Sequence, residues 1–139
     1  MPESKRMTRR DCVWLALALG ACRGAPPLAP DLFPETAAGG WRRVWAGDVP
    51  DSRDPVPRDA VEQSRAAAYE GPGKLEARVY RLSSAAVGLD LAQRWRPSAD
   101  TVFFNQGAYF VVVKWQAADR QALQEFVREL EGKLTPKGR

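Results

Sequence analysis

The sequence predicts an α+β domain, a mainly antiparallel sheet with helices packed on one face, in the order β-α-β-α-β-β-α. Three patterns predict it. Thr101-Val102-Phe103-Phe104 and Ala108-Tyr109-Phe110-Val111-Val112-Val113 flank Asn105-Gln106-Gly107, which reads as a hairpin with a glycine in its turn. Leu75, Ala77 and Val79 alternate with Glu76, Arg78 and Tyr80, the two-residue period of a half-buried strand ending near Leu82. Leu123, Phe126, Val127, Leu130 and Leu134 recur at the spacing that lines one face of a helix running from about Ala118 to Lys133. At 139 residues, with 45% hydrophobic and 27% charged side chains, the chain can fill one core and not two.

The chain opens on a secretory layout. Lys5, Arg6, Arg9 and Arg10 precede the apolar run Val13-Trp14-Leu15-Ala16-Leu17-Ala18-Leu19, with Met7 an alternative start to Met1. The uncharged stretch from Cys12 to Cys22 would reach only about 16 Å as a helix, short of a hydrocarbon core of about 30 Å. Leu19-Gly20-Ala21-Cys22 then resembles the bacterial lipobox, in which a large aliphatic and two small residues precede the cysteine that receives lipid. The small residues let a peptidase approach the backbone, the thiol takes a diacylglycerol group, and the freed amine can be acylated. Gly20 departs from the commoner Ala, Ser or Thr. Residues 1–21 are therefore expected to be a lipoprotein-type signal, with Cys22 the lipid attachment and Cys12 lost with the signal. An ordinary secretion signal is the alternative. A mature chain starting at Cys22 holds no other thiol, so no disulfide would brace it in an oxidising envelope. Arg23, where Asp commonly retains a lipoprotein at the inner membrane, points to the outer membrane and its periplasmic face.

Residues 22–31, with three prolines between Arg23 and Pro30, read as an extended tether reaching roughly 25 Å. A single domain is expected over 32–134 and a disordered tail over 135–139. Within the domain, Trp41-Arg42-Arg43-Val44-Trp45 follows the Gly39-Gly40 turn as a first strand, and Asp48 to Arg58 is a Pro-rich acidic loop. Pro57 suits the first turn of a helix to about Tyr69, with Asp59 and Glu62 near its N-terminus and Gly71-Pro72-Gly73 ending it. Ser83 or Ser84 caps a helix from Ala85 to Trp95, stopped by Arg96-Pro97, that presents Val87, Leu91 and Trp95 on one face. Phe104, Phe110 and Val112 are expected to form the sheet face that buries the final helix.

The chemistry open to the chain is narrow. It has no histidine, so the commonest general base, metal ligand and nucleophile partner are missing, and two cysteines alone make no zinc site. No metal or cofactor motif is present: Tyr69-Glu70-Gly71-Pro72-Gly73 lacks the Gly-Lys-Ser/Thr ending of a phosphate loop, and Asp48-Val49-Pro50-Asp51 lacks the alternating oxygen ligands of a calcium loop. The formal charge of +4 comes from 21 Lys+Arg against 17 Asp+Glu; without residues 1–21 it is 17 against 15, or +2. No like-charge block accompanies it, so no nucleic-acid partner is expected. Asp48, Asp51, Asp54 and Asp59 read as solvated loop charges with nothing to fix an acid/base separation, and Ser83-Ser84 has no base beside it. Trp41 and Trp45, four residues apart on one side of a strand, together with Arg43, Arg94 and Trp95, form the candidate ligand surface, an arginine over an indole being a favourable pair. The competing reading is that the tryptophans fill the core and its rim.

From about Leu32 to Leu134 the chain resembles a group of uncharacterised small bacterial envelope proteins of the domain-of-unknown-function type. The resembling pieces are Gly39-Gly40-Trp41, Tyr69-Glu70-Gly71-Pro72-Gly73, Val79-Tyr80 with Ser83-Ser84-Ala85-Ala86, Phe103-Phe104, Gly107-Ala108-Tyr109-Phe110-Val111-Val112 and the final amphipathic helix. The resemblance implies a fold and an envelope location and carries no catalytic residue. The expectation is a lipid-anchored accessory or interaction domain, without catalysis of its own, that sits on the membrane through lipid on Cys22 and serves an envelope protein the sequence does not identify. A periplasmic small-ligand binder using the Trp/Arg surface and a carboxylate-dependent enzyme are the alternatives, and nothing in the sequence specifies an oligomeric state.

Overall fold

The computed structural model describes residues 27–49 and 54–135. The expected signal, Cys12, Cys22, Asp51 and all of the tail beyond Thr135 lie outside these residues. The chain forms β1 (Thr36–Ala37), β2 (Trp41–Gly47), a 3-10 turn (Arg58–Ala60), β3 (Val61–Glu70), β4 (Lys74–Leu82), α1 (Ala85–Arg94), β5 (Thr101–Gln106), β6 (Tyr109–Gln116) and α2 (Arg120–Leu134). The six strands make one antiparallel sheet in the order β1-β2-β3-β4-β6-β5. The fold is α+β, as the patterning predicts, with a different order in its first half.

The difference lies at 57–69. The helix expected there is the strand β3, and Gly71-Pro72-Gly73 is the turn of a β3–β4 hairpin that stays paired from Glu70↔Lys74 to Val61↔Leu82. Ala66-Ala67-Ala68 suits a helix by propensity, but β3 lies between β2 and β4, where Ala66 and Ala67 are wholly buried. Tertiary packing overrides the local preference. The turn also has a geometric demand: Gly71 (φ 149°) and Gly73 (φ 138°) lie in the left-handed region. A Cβ on Gly73 would stand 2.6 Å from the Ala117 carbonyl oxygen, because the turn packs onto the entry to α2.

Helix boundaries follow their caps. Asp119 accepts a hydrogen bond from the Ala122 N–H at 3.0 Å and starts α2, whereas Ser84 precedes α1 in extended conformation with no side-chain cap bond. Trp95 leaves helical geometry just before Arg96-Pro97.

The helices lie on opposite faces of the sheet, not on one. Alternate residues of β4 and β6 divide between two cores: Leu75, Ala77, Val79, Tyr109, Val111 and Val113 meet Leu123, Phe126, Leu130 and Leu134 of α2. Tyr80, Leu82, Phe110 and Val112 meet Leu91 of α1, with Val87, Trp95 and Phe103 at the margin. Phe104 alone of the three side chains expected under α2 belongs there; Phe110 and Val112 point to α1. β6 is therefore apolar on both faces, and β4 is so only toward its Tyr80–Leu82 end.

The expected tether boundary also moves. Leu28 is buried with Leu32 and Phe33 in the α2 core, and its N–H donates to Gln63 Oε1 at 2.8 Å, so packed chain begins four residues before the expected domain start.

Candidate functional site

The five residues of the expected ligand surface do not converge. Trp41 is 1% exposed, packs edge-on against Phe126 and donates from Nε1 to the Ala122 carbonyl at 2.9 Å, closing the sheet against α2. Arg43 spends its guanidinium on the Phe33 carbonyl at 2.5 Å. Trp45 is 44% exposed on the other face of the sheet. The cause is a bulge: Arg43 pairs with Tyr69 but Trp45 pairs with Ala68, so two residues of β2 oppose one step of β3 and the facing inverts. Four-residue spacing puts two side chains on one side only of an unbroken strand. Arg94 lies on the exposed side of α1 in an i,i+4 pair with Asp90 at 2.5 Å, and Trp95 stacks on Phe103 and Phe110 with centroids 5.0 and 6.0 Å apart.

What the fold does bring together is a polar cluster on the α1 face that includes Asp54, expected in solvent. Asp54 is no loop charge in water; its side chain is 2% exposed. Arg78 Nη1 donates to Asp54 Oδ1 at 3.2 Å and Oδ2 at 3.1 Å, while its Nε donates to Glu76 Oε1 at 2.6 Å. Tyr80 Oη donates to Asp54 Oδ2 at 2.6 Å. Burial alone would lower the Arg78 pKa, but the two carboxylates outweigh it and hold the guanidinium above its usual value. Arg78 and Tyr80 stand two apart on β4 and so share a face, the one readable trace of the site. That Asp54 would reach them from a proline-rich loop 24 residues away had no local signal. Asp59 is exposed, as expected, and Asp48 likewise.

The cluster fastens a loop to the sheet. Three hydrogen bonds occupy the Asp54 oxygens, Arg78 is bonded to both acids, and Val56 packs beside them against the α1 core. The arrangement pins the 54–57 segment to the sheet. A second buried phenol has the same fastening character: Tyr69 Oη donates to the Pro34 carbonyl at 2.6 Å. Burial pushes its pKa up to about 12, with Glu129 adding to the rise and Arg43 opposing it.

The surface carries several depressions. One of about 440 Å³ is ringed by Glu70, Lys74, Glu76, Asp100 and Lys114, with both signs interspersed. Another of about 520 Å³ lies where Pro27 and Leu28 meet Tyr109 and the end of α2 at Leu134. Among the described residues no group of three or more His, Cys, Asp or Glu is placed to hold a metal, and no helix is long and apolar enough to cross a membrane. Comparison with protein-family models, curated proteins and solved structures finds no match.

Proposed function

We propose that this chain is a lipid-anchored interaction domain of the bacterial envelope, held at the outer membrane by Cys22 and without catalytic activity of its own. The observation that carries the reading is Leu19-Gly20-Ala21-Cys22 directly after a basic and then apolar stretch. The fold adds support from its start. Leu28 already belongs to the core, so five residues separate it from Cys22, and the six steps between them would reach about 19 Å in extended polyproline geometry. A leash that short keeps the domain at headgroup level, with the Leu28–Leu134 end nearest the bilayer. The spending of Trp41 and Trp95 on internal packing weighs against the Trp/Arg ligand surface, and the bonding of Asp54 weighs against an acid/base role for it.

Intact mass of the chain expressed in a bacterium with lipoprotein processing tests the reading. The expected product begins at Cys22 and carries diacylglycerol, Cys22→Ser carries none, and Cys12→Ser is lipidated like the wild type. A wild-type product without lipid mass overturns the proposal.

A further inference from the structure

We propose that β5 pairs edge to edge with β5 of a second copy about a twofold axis, joining two sheets into one. β5 is the terminal strand and is bonded to β6 on one side only. Its six residues, Thr-Val-Phe-Phe-Asn-Gln, keep unbroken register with β6 and contain no charge, no proline and no bulge. Those are the devices with which sheets blunt a free edge. The opposite edge uses them: β1 and Glu35 cover β2 as far as Arg43, a bulge follows, and Arg42 and Arg43 supply charge. Beyond the bulge Val44–Gly47 are not paired with β1, but they run for only four residues, whereas β5 presents six in unbroken register.

The side chains beside that edge favour a second copy as its occupant. Phe103 stands half-buried next to Trp95 on the α1 face, and Val102 and Phe104 stand half-buried with Val127 on the α2 face. A twofold axis normal to the sheet keeps each face on its own side and pairs residues of like parity. With the axis at Phe103, that residue lies opposite its copy and Val102 opposite Phe104, so apolar meets apolar on both faces. Between β5 and α2 lies a depression of about 380 Å³ lined by Val102, Leu123 and Val127, with Arg128 and Glu131 at its rim. The same axis runs the two α2 helices antiparallel and brings Arg128 of each copy toward Glu131 of the other. That reciprocal charge match is what an unrelated strand would lack.

Sedimentation equilibrium of the full chain in non-ionic detergent tests this, with cooperative thermal unfolding as the check on each variant. A monomer–dimer equilibrium is expected, weakened at least about tenfold by Val102→Lys, which puts a cation on the edge. Arg128→Glu and Glu131→Arg sit on the helix surface, so they keep the test open even if Val102→Lys disturbs the core. Each is expected to weaken the dimer about two- to fivefold, and the double variant to restore it. A chain that stays monomeric at all concentrations, a dimer indifferent to Val102→Lys in folded protein, or single charge reversals that the double variant fails to rescue would each overturn the proposal.

Discussion

Phe126 is the side chain on which the aromatic packing under α2 converges, with Tyr69 at 5.0 Å and Trp41 at 6.4 Å, both edge-on. Phe126→Ala should cost about 3–5 kcal/mol in denaturant unfolding, the range for a buried phenylalanine, and a loss below about 1 kcal/mol would show that the stripe faces outward. Asp54 gives a second residue-scale test. Asp54→Asn leaves Arg78 buried with only Glu76, so stability should fall by about 3 kcal/mol, the low end for breaking a buried pair because one partner remains. Tyr69 sets an alkaline limit. Its folded pKa of about 12 lies above the ordinary 10, so the phenol's stabilisation is complete below pH 10 and is lost as pH rises toward 12. Tyr69→Phe, measured over the same range, should show a shallower alkaline loss; Tyr109, also raised by burial, accounts for part of the remainder.

At the scale of elements, the start of the domain is the exposed claim. A chain beginning at Leu32 lacks Leu28 and its bond to Gln63, and should be about 2–4 kcal/mol less stable than one beginning at Ala25. Equal stability would return residues 28–31 to the tether. The elements that patterning finds are those whose signal is local: the β5–β6 hairpin, β4, and both helices, each with period and punctuation in the same few residues. β3 escapes it because alanine reads as helix until two flanking strands bury it. The inversion at Trp45 escapes because a bulge is fixed by the partner strand, and the burial of Asp54 because it depends on Arg78, far along the chain. The division of the helices between two faces was nevertheless latent in β6. Unbroken runs such as Phe110-Val111-Val112-Val113 need apolar cover on both sides.

At the scale of the molecule, a central sheet sealed by α1 and the pinned 54–57 segment on one face and α2 on the other forms a domain that packs without a disulfide among the described residues. On the proposed reading, the lipid on Cys22 is an address and not a structural support. Flotation of the full chain with native bacterial membranes tests that separation most directly. The wild type should float with the membranes, while Cys22→Ser should stay in the dense soluble fraction and unfold with unchanged cooperativity. A wild type left in the dense fraction, or a Cys22→Ser chain that still floats as the wild type does, would contradict the account.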